Sequence, residues 1–137
     1  MDATRLGKLP LFEELDHHDL KIVARWADEI DVEAGTNLVE EGRFPHEFFV
    51  IEEGSAEVTL QGNRLAELGP GDFFGEIALV ERLRRTATVT TTSPSRLVVM
   101  HARDFVAMED EMPEIAAQIR GVMEDRRQRN VTAAEDG

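Results

Sequence analysis

The sequence predicts a mainly β domain, an antiparallel sandwich or barrel, with helices before and after it. Between Ile30 and Met100, short runs of β-forming residues are punctuated by glycines at positions 35, 42, 54, 62, 69, 71 and 75. Several short strands at this spacing are typical of antiparallel sheets that pack or close on themselves. A helical period of apolar residues occupies each flank of this region. The length of 137 residues and the hydrophobic content of 42% suit one domain with its own core.

The runs that predict strands differ in how many faces they bury. Residues 48–51 are apolar throughout, which favours a strand buried on both faces. Ala56, Val58 and Leu60 alternate with polar residues, which predicts one buried face. Residues 61–63 read Gln-Gly-Asn, a hairpin-turn signal. Two further strands are predicted at residues 87–92 and 96–100.

A short helix is predicted before the strands. Asp16 precedes apolar residues at helical spacing, and Asp19 stands three positions later, as in a variant of the capping box. A side-chain oxygen at the N-cap accepts a hydrogen bond from an N–H of the first turn, which fixes where a helix begins. We expect this helix to end near Glu29.

Two helices are predicted after the strands. The first is short and is indicated by Phe105, Val106 and Met108. Pro113 suits the first turn of the second helix, which we expect to run to Arg129. The apolar stripe of that second helix consists of Ile115, Ile119, Val122 and Met123. We expect residues 130–137 to form a disordered tail, so that the domain spans residues 1–129.

Composition excludes several classes of function. The chain contains no cysteine, which excludes disulfides, thiolate metal sites and a cysteine nucleophile. A net charge of −13 repels nucleic acid and anionic lipid at long range, so we expect no nucleic-acid partner and no membrane partner. No apolar run approaches the roughly 18 residues of a membrane span. We therefore expect a cytoplasmic location.

The histidines do not predict a metal site. They are His17, His18, His46 and His101. None of them has carboxylates at a convincing ligand spacing, and the adjacent pair would point to different faces of a helix. We expect them to be solvated surface residues, and we expect no bound metal and no resident cofactor.

Residues 71–79 and 84–87 carry the most chemical information. Gly75 permits a tight turn and a close approach of the backbone to a ligand. A helix that begins after this glycine would expose unpaired N–H groups to an anion. Arg85 could pair with a phosphate through two parallel hydrogen bonds. Glu76 is a poor neighbour for an anion but a strong acceptor for a sugar hydroxyl, so together these residues describe a site for a ribose phosphate.

The same residues carry a resemblance to a known family. Residues 74–79 read Phe-Gly-Glu-Ile-Ala-Leu and residues 85–89 read Arg-Thr-Ala-Thr-Val. They resemble the phosphate-binding cassette of cyclic-nucleotide-binding domains, as in protein kinase A regulatory subunits, bacterial catabolite activators and nucleotide-gated channels. The resemblance extends from Leu9 to about Arg127. It implies an antiparallel β-roll or jelly-roll (a double-stranded β-helix) with an N-terminal helix, a short cassette helix and two C-terminal helices.

The resemblance also implies a role for each matching residue. The implied ligand-binding residues are Gly75, Glu76, Ile77, Ala78, Arg85, Thr86 and Ala87. Glu76 would accept from the ribose 2′-hydroxyl, and Arg85 would pair with the cyclic phosphate. Main-chain N–H groups of residues 77, 78 and 87 would donate to the phosphate, and Gly75 would let the backbone approach the sugar. Val58 and Leu60 would form apolar walls for the base.

One stretch departs from the family pattern. Residues 80–84 read Val-Glu-Arg-Leu-Arg, where the family usually has small or turn-forming residues. We therefore expect a cassette that is longer as a helix or partly closed when empty. Arg84 stands beside Arg85, and the residues that follow identify Arg85 as the phosphate residue. Thr86 is compatible with both cAMP and cGMP, and we favour cAMP.

The resemblance implies a sensor and not an enzyme. We expect the bound state to be relayed, by movement of the C-terminal helix, to an unknown effector protein or within a homodimer formed through that helix. The alternative is an interaction module of the same fold that binds no nucleotide, in which Glu76 and Arg85 form a structural salt bridge. A third class is a small-molecule enzyme on a β-barrel. The sequence offers no metal triad, nucleophile elbow or acid–base pair for it.

Overall fold

The computed structural model describes residues 1–40, 47–74 and 87–136, with side chains described through Val122 and at Glu124 and Asp125. Along the chain, two described helices precede the strands and two follow them. The strands are β1 (Asp28–Val32), β2 (Asn37–Val39), β3 (Glu47–Glu53), β4 (Ala56–Leu60), β5 (Asn63–Leu68), β6 (Phe73–Phe74), β7 (Thr88–Thr91) and β8 (Ser95–His101). The helices are α1 (Ala3–Leu6), α2 (His17–Ala24), α3 (Ala102–Glu111) and α4 (Pro113–Asp136).

The strands form two antiparallel sheets of four strands each. The first sheet has the order β1-β8-β3-β6, and the second has the order β2-β7-β4-β5. Phe49 is paired with Val99 in the first sheet, and Val58 is paired with Val89 in the second. Neighbouring strands are mostly distant in the chain, as in a jelly-roll and unlike a simple meander. The predicted fold class, mainly antiparallel β with flanking helices, is confirmed.

The side chains of β3 divide between two hydrophobic cores. Phe49 and Ile51 pack in an inter-sheet core, which also contains apolar residues of the second sheet. Phe48 and Val50 pack in a helix-side core, together with residues of all the helices. This division follows from the alternation of side chains along a strand. Residues 48–51 are buried throughout, as predicted, because the first sheet lies between the two cores.

A two-residue turn joins β4 to β5. Gln61 and Gly62 have φ values of 52° and 83°. Positive φ at both central positions is typical of the type I′ turn, whose twist matches that of a hairpin. Leu60 and Asn63 are partners at the end of the ladder, so the predicted turn at residues 61–63 is confirmed.

The predicted burial of one face of β4 holds at only one end of the strand. Ala56 is fully buried and Val58 is half-buried against the inter-sheet core, but Leu60 is 39% exposed. Alternation along the strand identifies the correct face. It does not reveal where the core beneath that face ends, and the inter-sheet core ends before Leu60.

The helix α2 begins where predicted and ends earlier. Asp16 is its N-cap, and the Asp16 carboxylate accepts a hydrogen bond from the N–H of Asp19 at 2.8 Å. The prediction that the helix ends near Glu29 is wrong, because the last helical residue is Ala24. From Asp28 onward the chain pairs with β8, and this pairing overrides the helical pattern of the sequence.

The helix α3 packs on the first sheet and is linked to α4 by side-chain contacts. Phe105 and Met108 are buried in the helix-side core, whereas Val106, the third residue of the predicted pattern, is 42% exposed. Arg120 of α4 donates a hydrogen bond to Glu109 Oε1 at 2.5 Å. Its guanidinium carbon also lies 5.6 Å from the centroid of the Phe105 ring. These contacts hold the two helices together at their corner.

The helix α4 is longer than predicted. Ile115 and Ile119 of its predicted apolar stripe are buried, and Val122 packs against the same helix-side core. The helix continues to Asp136, where the sequence analysis expected it to end at Arg129. No proline or glycine interrupts residues 122–136, and the alanines and glutamates among them favour helix. The backbone expected to be a disordered tail is therefore helical through residue 136, and the domain boundary at residue 129 stays a prediction.

Candidate functional site

Most of the predicted ligand-binding residues lie outside the described part of the chain. These are Gly75, Glu76, Ile77, Ala78, Arg85 and Thr86, all within residues 75–86. Ala87, Val58 and Leu60 are described. The described residues fix both ends of the segment, and they define where it joins the fold.

The segment starts from a well-packed strand of the first sheet. Phe74, its preceding residue, is 6% exposed and stacks on Phe49 with ring centroids 5.1 Å apart and planes inclined by 19°. The N–H of Ile51 donates to the carbonyl of Asp72 at 2.8 Å, and the N–H of Gly71 donates to the carbonyl of Ile51 at 2.7 Å. Phe74 is therefore a core residue, and the start of the segment is anchored on β3.

The segment ends at the second sheet. Thr88 is paired with Thr59, and Val89 is paired with Val58, so β7 leaves the segment alongside β4. Val89 is 4% exposed in the inter-sheet core. Ala87, which precedes this ladder, is half-buried. Residues 75–86 therefore connect the two sheets of the fold.

An apolar face remains open where the segment reaches the second sheet. Val58 and Leu60 lie on the same face of β4, because side chains alternate along a strand. Leu60 is adjacent to Thr59, and Ala87 is adjacent to Thr88, the partner of Thr59. The structure thus brings Val58, Leu60 and Ala87 to one end of the second sheet. An accessible apolar surface of this kind can receive the flat face of a base.

Sequence analysis did not assign two further residues to this region. Val39 of β2 and Val89 of β7 are buried in the inter-sheet core, against which Val58 packs. They continue the apolar face of the second sheet from β4 across β7 to β2. Their strands are short and flanked by polar residues, so the contact arises from pairing between distant strands and leaves no local signal.

A charged cluster on the other side of the first sheet was also missed. Arg5 of α1 donates from Nε to Glu52 Oε1 at 2.8 Å and from Nη2 to Glu29 Oε2 at 2.5 Å. Arg96 lies beside Glu29, with Nε 3.9 Å from Glu29 Oε1. We call these four residues the Arg5 cluster. Its members are far apart in the chain, so no spacing rule could have found it.

The described residues offer neither a metal-binding cluster nor a membrane-spanning helix. No group of three or more histidine, aspartate or glutamate side chains in residues 1–40, 47–74 and 87–136 could hold a metal ion. Within the same ranges, no helix combines the length and the apolar content needed to cross a bilayer.

A match to a known family identifies the kind of domain that contains this site. The model of the cyclic nucleotide-binding domain family matches residues 29–111, from β1 to the end of α3. The chain belongs to this family. It is 34% identical over 122 residues to a cyclic nucleotide-gated potassium channel of Rhizobium etli, covering 89% of this chain and 34% of the channel. It is 32% identical over 114 residues to a cAMP-dependent protein kinase regulatory subunit of Eremothecium gossypii, covering 80% of this chain and 24% of the subunit.

The fold of this cyclic nucleotide-binding domain also matches solved structures. A cyclic nucleotide-binding domain from Methylobacillus flagellatus superposes with a TM-score of 0.85 at 15% identity, covering 98% of this chain and 78% of the other. This likeness shows the β-roll fold that the resemblance implied. The chain spans 24% to 34% of the length of the channel and the kinase subunit named above. The kinase protein among these relatives is a regulatory subunit.

Proposed function

We propose that this cyclic nucleotide-binding domain binds cAMP in preference to cGMP at the open apolar face of β4. The observation that carries the proposal is the pairing of Thr59 with Thr88, which puts Leu60 and Ala87 at the same end of the second sheet. The base would cover Val58 and Leu60. Ligand sites are typically apolar surfaces with a few polar groups at their margin, and residues 75–86 supply the polar groups here.

The polar contacts of the proposal belong to the segment between the sheets. Arg85 pairs with the cyclic phosphate, and the N–H groups of Ile77, Ala78 and Ala87 donate to it. Glu76 accepts from the ribose 2′-hydroxyl. Gly75 would let the backbone approach the sugar, and Thr86 completes the proposed set of ligand-binding residues. This division of roles suits a ligand that is anionic at one end and carries hydroxyl donors at the other.

The preference for cAMP is supported by a relative and not by the pocket itself. The kinase regulatory subunit that this chain resembles is named for its dependence on cAMP. Thr86 is compatible with either base, because a hydroxyl both donates and accepts hydrogen bonds. We therefore propose cAMP as the ligand, with cGMP as a weaker competitor.

The proposed output is a change in the position of α4. Ile115 and Ile119 pack in the helix-side core with Phe48 of β3. The same strand carries Phe49, on which Phe74 stacks at the start of the segment. A ligand shifts α4 only if it binds two positions of the helix with different affinity. We propose that a cytoplasmic effector protein or a second copy of the chain receives this signal and that the domain performs no catalysis.

Isothermal titration calorimetry with cAMP and cGMP tests the proposal. We expect one site per chain and tighter binding of cAMP. If cGMP bound more than about tenfold tighter, the base preference would be reversed. If neither nucleotide at about millimolar concentration produced heat or a thermal shift, the proposal would be wrong, and the alternative of an interaction module without nucleotide would replace it.

A further inference from the structure

The Arg5 cluster joins α1 to two strands of the first sheet through one guanidinium group. Arg5 contacts Glu52 on β3 and Glu29 on β1, at 2.8 Å and 2.5 Å. The side chains of Glu29 and Glu52 are 25% and 12% exposed, so Glu52 is the more buried of the two. The hydrogen bonds from Arg5 to these two carboxyl groups therefore help to hold α1 against the first sheet.

One oxygen of Glu52 lacks a hydrogen-bond donor. Glu52 Oε2 is buried and has no hydrogen-bond partner among the described residues. Glu29 Oε2 and Glu52 Oε1 both contact Arg5 Nη2, at 2.5 Å and 2.7 Å, so the two carboxyl groups meet at one nitrogen atom. Two carboxylates have no hydrogen to place between them, and a buried acceptor without a donor is costly. A single proton on this pair would supply the missing donor.

We propose that Glu52, beside Arg5, takes up a proton that it shares with Glu29, so that the folded state loses stability as pH rises. With the proton bound, one carboxyl group donates to the other, and Arg5 pairs with the remaining negative charge. Without the proton, two negatively charged carboxylates lie beside one guanidinium group, and Glu52 Oε2 has no hydrogen-bond donor. The proposal does not depend on nucleotide binding.

The charges around the pair favour uptake of the proton. The charged groups at the pair and at the neighbouring Arg96 are Arg5, Glu29, Asp31, Glu52, Glu53 and Arg96, of which Asp31 and Glu53 interact with Arg96. Carboxylates outnumber guanidinium groups in this set. Arg96 Nε is also closer to Asp31 Oδ1, at 3.1 Å, than to Glu29 Oε1, at 3.9 Å. Arg5 is therefore the main cation for both Glu29 and Glu52.

The direction of the titration follows from burial. Burial raises the pKa of Glu52, the hydrogen bond from Arg5 opposes this rise, and Glu29 adds to it. A carboxyl group whose pKa is higher in the folded state stabilises the fold at low pH. Its contribution is lost as pH rises through the folded-state pKa, above the ordinary value of 4.5.

The carboxylate of Asp2, the N-cap of α1, titrates in the opposite sense. Asp2 accepts hydrogen bonds from the N–H groups of Arg5 and Thr4, and these bonds lower the pKa of its carboxyl group. Its stabilising contribution is lost as pH falls through that lowered pKa, below the ordinary value of 3.8. The two effects therefore occupy separate pH ranges.

Carbon-detected NMR of side-chain carboxyl groups in the full chain tests the proposal directly. The titration would run from about pH 4 to about pH 8. We expect the Glu52 carboxyl carbon to titrate with a midpoint above 4.5, and the Arg5 Nε–H resonance to move with the same midpoint. A Glu52 midpoint at or below 4.5, or an Arg5 resonance that does not follow it, would overturn the proposal.

Two conservative variants make the test specific. In Glu29→Gln the new amide donates to Glu52 Oε2 and stabilises the carboxylate, so the Glu52 midpoint should fall by about one pH unit or more. In Glu52→Gln the amide donates to Glu29 at every pH, so the loss of stability with rising pH should disappear. Glu67→Gln is the matched control, because Glu67 pairs with Arg64 on the exposed hairpin. A Glu52→Gln variant that kept the wild-type pH dependence would contradict the proposal.

Discussion

Arg120 joins α4 to Glu109 of α3 by an ion pair of 2.5 Å. The two side chains are 31% and 36% exposed, so water weakens the charge interaction. The guanidinium also covers the ring of Phe105, which is 1% exposed. One residue of α4 thus contacts both a partly exposed and a buried side chain of α3.

Replacing Arg120 should loosen the corner between α3 and α4. The Arg120→Gln change removes an exposed ion pair and a cation–π contact, and we expect the free energy of unfolding to fall by about 1 kcal/mol. Urea denaturation measures this change. The matched control is Arg103→Gln on the exposed surface of α3, which should cost less than about 0.5 kcal/mol. Equal effects of the two changes would show that the Arg120 contacts contribute nothing.

Hydrogen exchange tests whether α4 responds to the ligand. On addition of cAMP, the amides of residues 75–79 should become better protected, and those of residues 116–124 should change as well. We expect the second change because Ile119 packs in the core that also contains Phe48 of the first sheet. Amides of α2 serve as the internal reference. If only residues 75–79 respond, the proposed movement of α4 is wrong, although the proposed binding of cAMP is supported.

Replacing Arg85 should weaken nucleotide binding without affecting the fold. The Arg85→Gln change removes the charge proposed to pair with the phosphate. We expect a loss of about 1.5–3 kcal/mol in binding free energy, roughly 10- to 150-fold in Kd. Calorimetry measures it, and Arg103→Gln should bind as the wild type does. Unchanged affinity in Arg85→Gln would remove Arg85 from the site.

Substitution of two leucines on the β4–β5 hairpin distinguishes loss of contact with the base from a general effect of changing the surface. Leu60 and Leu65 are 39% and 60% exposed. Leu60→Asn should weaken cAMP binding by about 1 kcal/mol, because the base loses apolar contact, whereas Leu65→Asn should leave the affinity unchanged. Both variants should unfold within about 0.5 kcal/mol of the wild type. If the two changes weaken binding equally, the base does not lie at the open end of β4.

Local chemistry was sufficient to predict several elements of this fold. The type I′ turn follows from Gln61-Gly62-Asn63, the start of α2 follows from Asp16, and the doubly buried strand follows from residues 48–51. Each depends on residues within a few positions of one another. The exposure of Leu60 and the early end of α2 depend on strands from elsewhere in the chain, so no local pattern contains them.

The same contrast between local sequence signals and long-range contacts applies to the candidate site. The types and order of Gly75, Glu76 and Arg85 predicted a ribose-phosphate site from the sequence, and these residues lie outside the described part of the chain. What the structure adds is that the residues on either side of the segment belong to different sheets, because Phe74 is paired with Phe49 and Thr88 with Thr59. The Arg5 cluster was not predicted, because it joins residues that are 24 and 47 positions apart.

The burial of β3 on both faces has a mechanical consequence. Phe49 and Phe48 are neighbours in the chain, yet they face different cores, and only one layer of backbone separates them. Protein interiors are packed as densely as organic crystals and resist compression. A change of volume on the inter-sheet side must therefore displace this strand toward Phe105 and Ile115. We therefore expect an occupant that changes the volume of the inter-sheet core to act on α3 and α4 through the first sheet.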